Sequence, residues 1–350
     1  MTYSELVAKC QAKTLVYFCV FSNPDYINLL KLLLISLVLY TEDLSQIDLL
    51  VFTSSDLQQE IIVLEKTLNI RIDTYIFDFK GKDQAVCSKL YIFDYPLTQL
   101  YKQILYLDTD ILLQSDINKI LQYSLEEKIY GVEEGTIGHE WWGGELFDFS
   151  KVDKTLTAIN GGTLLFRPTN TIKQVFINIC ADIKYRSEKS MALPVCSDQS
   201  YINYYFIKEN IYNNTYLTKY TKFYSKGADL NLINSDNILC HFTWPIGNAI
   251  NKLERMSFFL NKISSESVSE YFHPKFDIID KSYSWNTSGQ IIFNANNILT
   301  TTWATGRWRW LNSYLLEASW DNFYHILRFN KDYTSFISIR GDFNISNGSI

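Results

Sequence analysis

The sequence predicts an α/β chain, with a Rossmann-like sheet flanked by helices over about the first two thirds and a small antiparallel β domain at the C-terminal side. Two observations carry this. Between about 13 and 110, short runs that are apolar on both faces alternate with longer helical ones, the pattern of strands buried between two helix layers. From 285 onward a β-branched, aromatic stretch is punctuated by the turn signals TGR, DN and NKD, which reads as an antiparallel meander of four to six strands. The expected boundaries are 1–258 for the α/β domain, 259–284 for a polar linker containing NKISSESVSE, and 285–350 for the β domain.

The elements follow in order. TLVYFCVFS is a first strand, and INLLKLLLISLVLY (27 to 40) is a helix apolar all round, with Lys31 inside it. IDLLVFTS and IRIDTYIF are strands, separated by a helix over 56 to 68, and a helix over 86 to 100 leads into the buried strand QILYL. A loop, EEGTIGHEWWGGELFDFSK, mixes acids, glycines and two tryptophans, a composition suited to facing a substrate. INGGTLLFRPT (159 to 169) is a further strand, 170 to 190 a helix, and SDQSYINYYFIKEN opens another helix with Ser197 and Asp198 as possible caps. NILCHFTWPIG reads as a short strand leaving the core.

Composition removes several function classes. A net charge of -6 with no Lys/Arg-rich run lacks the electrostatic footprint of a nucleic-acid binder. The apolar run from Ile27 to Tyr40 falls short of the roughly 20 residues that span a bilayer, so no membrane span is expected. The N-terminal MTYSELVAKCQAK has no basic region followed by an apolar core, which points to a cytoplasmic protein. Six scattered cysteines without a C-x-x-C pair read as reduced, buried thiols, not as a disulfide framework or zinc site.

The segment YKQILYLDTDILLQSDI holds the chemistry. In sheets of this kind ligands sit beyond the carboxyl ends of the strands. Asp108 ends QILYL at that edge, and Asp110 follows two residues later. In an extended segment their side chains share one side, roughly 7 Å apart at Cα, which suits two carboxylates converging on one cation. A chain with 22 aspartates yields about one Asp-x-Asp triplet by chance. A turn or capping pair therefore stands beside the cation reading, and position decides between them.

Five ordered segments resemble glycosyltransferase family 8, the glycogenin-like retaining enzymes, over roughly 13 to 255. They are VFSNPDYINLLKLLLISL, CSKLYIFDYPLTQLYKQILYLDTDILLQSDI, INGGTLLFRP, SDQSYIN and HFTWPIGNAINK. The resemblance implies a GT-A nucleotide-sugar-binding domain. It implies that Asp108, Asp110 and His241 bind a divalent cation, manganese or else magnesium, bridging the diphosphate of a UDP-sugar. Two carboxylates with an imidazole favour manganese over magnesium. By the same resemblance Ser22, Asn23 and Tyr26 hold the nucleoside, with Tyr26 stacking the base. Thr109, Asn160, Gly161 and Gly162 line the donor, and Lys89, Asp198 and Gln199 surround the reacting centre. Gly247 and Lys252 close on the phosphates.

Three departures from the family pattern stand out. Gly161 replaces a serine, Val195 replaces an acid, and the spacing from His241 to Gly247 to Lys252 is longer than usual. The expected activity is transfer of a hexose, glucose or galactose, to a glycan or protein acceptor. Two alternatives are a self-glucosylating primer using Tyr212, Tyr216, Tyr220 or Tyr224, and a sugar-nucleotide or glycan binder that has lost turnover. Trp141 and Trp142 either stack an acceptor sugar or fold onto the core, whereas Trp303, Trp308, Trp310 and Trp320 are expected in the core and packing surface of the tail. Dimers are common among such proteins, so a homodimer is an expectation, although no isologous apolar patch stands out.

Overall fold

The computed structural model describes residues 10–21, 23–77, 79, 82–230, 236–245, 248–264, 278–285, 289–310, 315–321, 323–330, 333–341 and 347–349. The chain divides into two compact units, Met1–Leu253 and Glu254–Ile350. Part of the expected linker, 265–277, lies outside the described residues.

The first unit is built on β1 (Thr14–Val20), β2 (Ile47–Thr53), β3 (Ile72–Ile76), β4 (Gln103–Leu107), β5 (Ile111–Leu113), β6 (Ile129–Thr136), β7 (Thr157–Phe166), β8 (Tyr212–Asn213), β9 (Thr221–Phe223) and β10 (Leu239–His241). Seven of these form one sheet in the order β3-β2-β1-β4-β7-β6-β8, and β5-β10-β9 form a second. The strands β3, β2, β1 and β4 are mutually parallel, as the apolar runs predict. Next to them β7 is antiparallel to both β4 and β6, so the sheet is mixed. Both faces of β4 are buried at every position, which is why its sequence shows no alternation.

The longer helices are α1 (Asp25–Tyr40), α2 (Gln58–Leu68), α3 (Asn170–Glu188), α4 (Ser197–Lys208) and α5 (Ala249–Ile263). Leu29, Leu30, Leu32, Leu33, Leu34 and Leu37 of α1 are fully buried, and Lys31 is buried among them. Ser36 ties α1 to β5, its hydroxyl accepting the Leu113 N–H at 2.9 Å. Thr169 caps α3 by accepting the Ile172 N–H. The helix expected over 86 to 100 is instead two 3-10 turns, Ser88–Asp94 and Thr98–Leu100. Pro96 cannot donate a backbone bond, and the β-branched and aromatic side chains before it are weak helix formers. All six cysteines are free, and burial pushes the Cys19, Cys180 and Cys196 thiols up to about 12, so none of these three is a ready nucleophile. Among the described residues, no helix is long and apolar enough to cross a membrane.

In the second unit eight strands close into an antiparallel barrel, more than the four to six expected. They are β11 (Ser282–Trp285), β12 (Gly289–Asn294), β13 (Ile298–Thr301), β14 (Thr305–Trp310), β15 (Leu315–Trp320), β16 (Phe323–Phe329), β17 (Ser335–Gly341) and β18 (Asn347–Ser349). Closure leaves no unpaired edge. Tyr283, Phe293, Phe329 and Phe336 pack ring to ring in the interior, and Trp308, Trp310 and Trp320 are buried as expected. Trp303 differs, being 59% exposed.

Candidate functional site

The main chain leaves β4 at Leu107, turns through Asp108, Thr109 and Asp110, and re-enters as β5. The link is a turn, not the extended segment expected, and the carboxylates still converge. The Asp108 N–H donates to the Gly162 carbonyl at 2.8 Å, which fixes the end of β4 to β7. The Asp110 carbonyl accepts the Phe242 N–H at 2.9 Å. Because β10 pairs antiparallel with β5, placing His241 opposite Ile111, the imidazole arrives beside Asp110. Ligand atoms of Asp108, Asp110 and His241 all lie within 4.8 Å of one another.

Two observations test whether these residues fit a cation. Asp110 Oδ1 and His241 Nδ1 are buried with no hydrogen-bond partner among the described residues, a costly arrangement for polar atoms unless a ligand satisfies them. His241 Nε2 stands 3.1 Å from Asp110 Oδ1, out of hydrogen-bond alignment. In addition, a Cβ at Gly162 would fall 2.6 Å from Asp108 Oδ2, 2.6 Å from His241 Cε1 and 2.8 Å from Asn160 Oδ1. The glycine therefore keeps open the space these three groups face. Two carboxylates with one imidazole fit a divalent cation.

Charge is balanced from two sides. Lys252 Nζ, in the first turn of α5, donates to Asp110 Oδ2. Burial disfavours the Asp110 charge, yet the Lys252 ammonium and His241 hold its carboxyl well below the usual carboxylate range. Lys89 Nζ lies 2.8 Å from Asp198 Oδ2 and 3.4 Å from Asp108 Oδ1, and it donates to the Gly161 carbonyl at 3.0 Å. Burial opposes the Lys89 charge, but the Asp108 and Asp198 carboxylates outweigh it and raise the ammonium above its ordinary value. Asp198 thus serves Lys89, and no side chain caps α4, contrary to the capping expectation.

Gln199 Oε1 accepts the Gly161 N–H at 2.9 Å, and its Nε2 donates to the Trp141 carbonyl at 3.4 Å. The amide orientation is thereby set, and the tryptophan loop lies against α4. Trp141 and Trp142 are both half-buried, and Trp142 packs beside His139 against the small apolar cluster of Ile137, Phe147 and Ala158. Asn160 Oδ1 accepts the Gly162 N–H at 2.7 Å, and Asn160 Nδ2 donates to Glu134 at 2.7 Å. Thr109 is buried. Tyr26 is half-buried and close enough to Lys252 and Asp110 to feel both charges. Asn23 is exposed, its Oδ1 accepting the Asp25 N–H at 2.9 Å at the start of α1. Ser22 and Gly247 lie outside the described residues. Despite the lengthened spacing, Lys252 reaches the site. Val195 is 62% exposed and brings no carboxylate.

Sequence reasoning missed three residues. Tyr106 donates its hydroxyl to Asp108, and its position two residues earlier, near the end of the strand that leads into Asp108, was a usable signal. Glu134 holds Asn160, and Asn203 brackets Ile159, accepting its N–H at 2.8 Å and donating to its carbonyl at 3.0 Å. Neither of these two carried any local signal.

The model of glycosyl transferase family 8 matches residues 29–249, more than half of the chain. Among solved structures, the bifunctional glycosyltransferase WbbM in its apo form is similar at a TM-score of 0.50 and 12% identity, over 73% of this chain and 52% of that one, so this chain spans about half of that protein's length. The galactosyltransferase LgtC, solved with donor and acceptor sugar analogs, aligns over 73% of this chain and 98% of its own at 13% identity and a TM-score of 0.46. GlyE from Streptococcus pneumoniae TIGR4 aligns over 71% of this chain and 62% of its own at 15% identity and a TM-score of 0.44. No curated protein sequence matches. The mixed sheet is GT-A-like. Since the matched segment is the one that carries Asp108, Asp198 and His241, the chain belongs to glycosyl transferase family 8.

Proposed function

We propose that the protein transfers a hexose, glucose or galactose, from a UDP-sugar to a glycan or protein acceptor with retention of anomeric configuration. The observation that carries this reading is the convergence of Asp108, Asp110 and His241, with Asp108 and His241 facing the space left by Gly162 and Asp108 beside the Lys89–Asp198 pair. A manganese or magnesium ion held by those three residues would neutralise the charge that develops on the diphosphate as the glycosidic bond breaks.

The chain's own groups have matching tasks. Tyr26 offers a flat apolar face to the base. Lys252 offers the phosphates a point charge on a flexible stem. Lys89, fixed by Asp198, keeps positive potential next to the leaving group, and Asn160, oriented by Glu134, offers polar contacts to sugar hydroxyls. Gln199, held by Gly161 and Trp141, faces the transferred sugar. As for the acceptor, Tyr216 and Tyr224 are buried in the fold, which weighs against these two of the four tyrosines of the self-glucosylating alternative.

The test is release of UDP from a panel of UDP-sugars, with and without manganese, by wild type and Asp110→Asn. Metal-dependent release from one sugar that disappears in the variant supports the reading and identifies the donor. Failure of the wild-type protein to bind UDP at all would overturn it.

A further inference from the structure

Lys252 and the cation site share one carboxylate. Lys252 Nζ is bonded to Asp110 Oδ2, and the two side chains are only 13% and 11% exposed. The same Asp110 contributes to the three-residue cluster with Asp108 and His241. The second lysine of the site cannot substitute for Lys252, because Lys89 is held by Asp198 at 2.8 Å and by the Gly161 carbonyl at 3.0 Å. An ammonium on Oδ2 and a divalent cation on Oδ1 of one buried carboxylate repel each other, so each weakens the other's hold on Asp110.

Resting on the metal reading above, we infer that Lys252 is a resident counter-ion that competes with the divalent cation for Asp110 and withdraws when a nucleoside diphosphate takes its ammonium. Cation and diphosphate then bind as a coupled pair. By thermodynamic reciprocity each strengthens the other by the same factor. Without nucleotide, Lys252 offsets the Asp110 charge and keeps the cation site weak.

The experiment is calorimetric titration of manganese into the full chain, with and without UDP, for wild type, Lys252→Met and Lys252→Arg. Without UDP, Lys252→Met is expected to bind manganese about tenfold more tightly than wild type, within the roughly 5–150-fold range of such couplings. Lys252→Arg, which retains the charge, is expected to stay near wild type. UDP is expected to tighten manganese binding more in wild type than in Lys252→Met. Equal or weaker manganese binding by Lys252→Met in the absence of UDP overturns the inference and leaves the metal reading intact. Absence of manganese binding in every protein, with and without UDP, overturns the metal reading itself. Should circular dichroism show Lys252→Met unfolded, Lys252→Gln removes the charge while keeping an amide donor to Asp110.

Discussion

Replacing Gly162 with alanine inserts one methyl group into the space at the centre of the site. The added Cβ would meet Asp108 Oδ2 at 2.6 Å, His241 Cε1 at 2.6 Å and Asn160 Oδ1 at 2.8 Å. Favourable contacts sit at about 3.5–4.0 Å, so all three groups must retreat by about 1 Å together. Overpacking of this kind costs about 1–3 kcal/mol of stability. The functional loss is larger, because metal–ligand distances tolerate only about 0.2 Å, and a retreat several times that size removes two ligands at once. In wild type, manganese at 100 times its dissociation constant should stabilise the fold by about 2.7 kcal/mol. Denaturant unfolding of wild type and Gly162→Ala, each with and without manganese, measures both effects. Wild type should gain that increment and the variant should gain none. A variant with the full manganese-induced gain would refute the argument that the cation occupies the space Gly162 leaves.

Three other outcomes are expected. Lys31→Met should stabilise the protein at pH 7, since burial pulls the Lys31 ammonium from its ordinary 10.5 to about 8, which at about 1.4 kcal/mol per unit amounts to roughly 3 kcal/mol. The penalty is complete below about 8 and fades as pH rises toward the unfolded value, so unfolding at pH 7 and 9.5 should show the wild type closing on the variant. Lys89→Met strands Asp198 and Asp108 and should cost about 3–5 kcal/mol, part of which returns in the double variant with Asp198→Asn; an unchanged denaturation midpoint would contradict the ion-pair description. Gly161→Ser should fold normally and cost less than about 1 kcal/mol, because a Cβ there meets only the tip of Ile202 at 3.3 Å and other atoms at 3.7 Å; a thermal scan showing gross unfolding would count against that spacing.

What the sequence made legible was what short segments encode. Asp108 and Asp110 stood out because a run apolar on both faces ends at them, and the length and flanks of that run identify a buried strand at a ligand edge. The antiparallel direction of β7 was not legible, because a fully buried strand reads the same in either direction. The Lys89–Asp198 contact joins residues 3-10 and α-helical in context and far apart in sequence, and no local pattern announces such a pair. The small β5-β10-β9 sheet brings His241 to Asp110 through strands of three residues each, too short to show a period. Barrel closure was hidden for a related reason. Alternation along each strand specifies an inner and an outer face but not how many strands share the curve.

The order of strands in that barrel has a kinetic meaning. Seven of its eight pairings join neighbours in sequence, whereas β18 returns to β11, among the described residues, through Ser284↔Ser349 and Trp285↔Gly348. Hairpins form quickly, but joining distant segments carries the larger loop-closure entropy. The meander should therefore assemble by zipping from its turns, with the seam sealing last. Under native conditions the seam should also be the first place to open. Amide hydrogens of Ser284 and Trp285 should then exchange faster than those of Ala318 and Leu327, whose strands pair on both sides with neighbours in sequence.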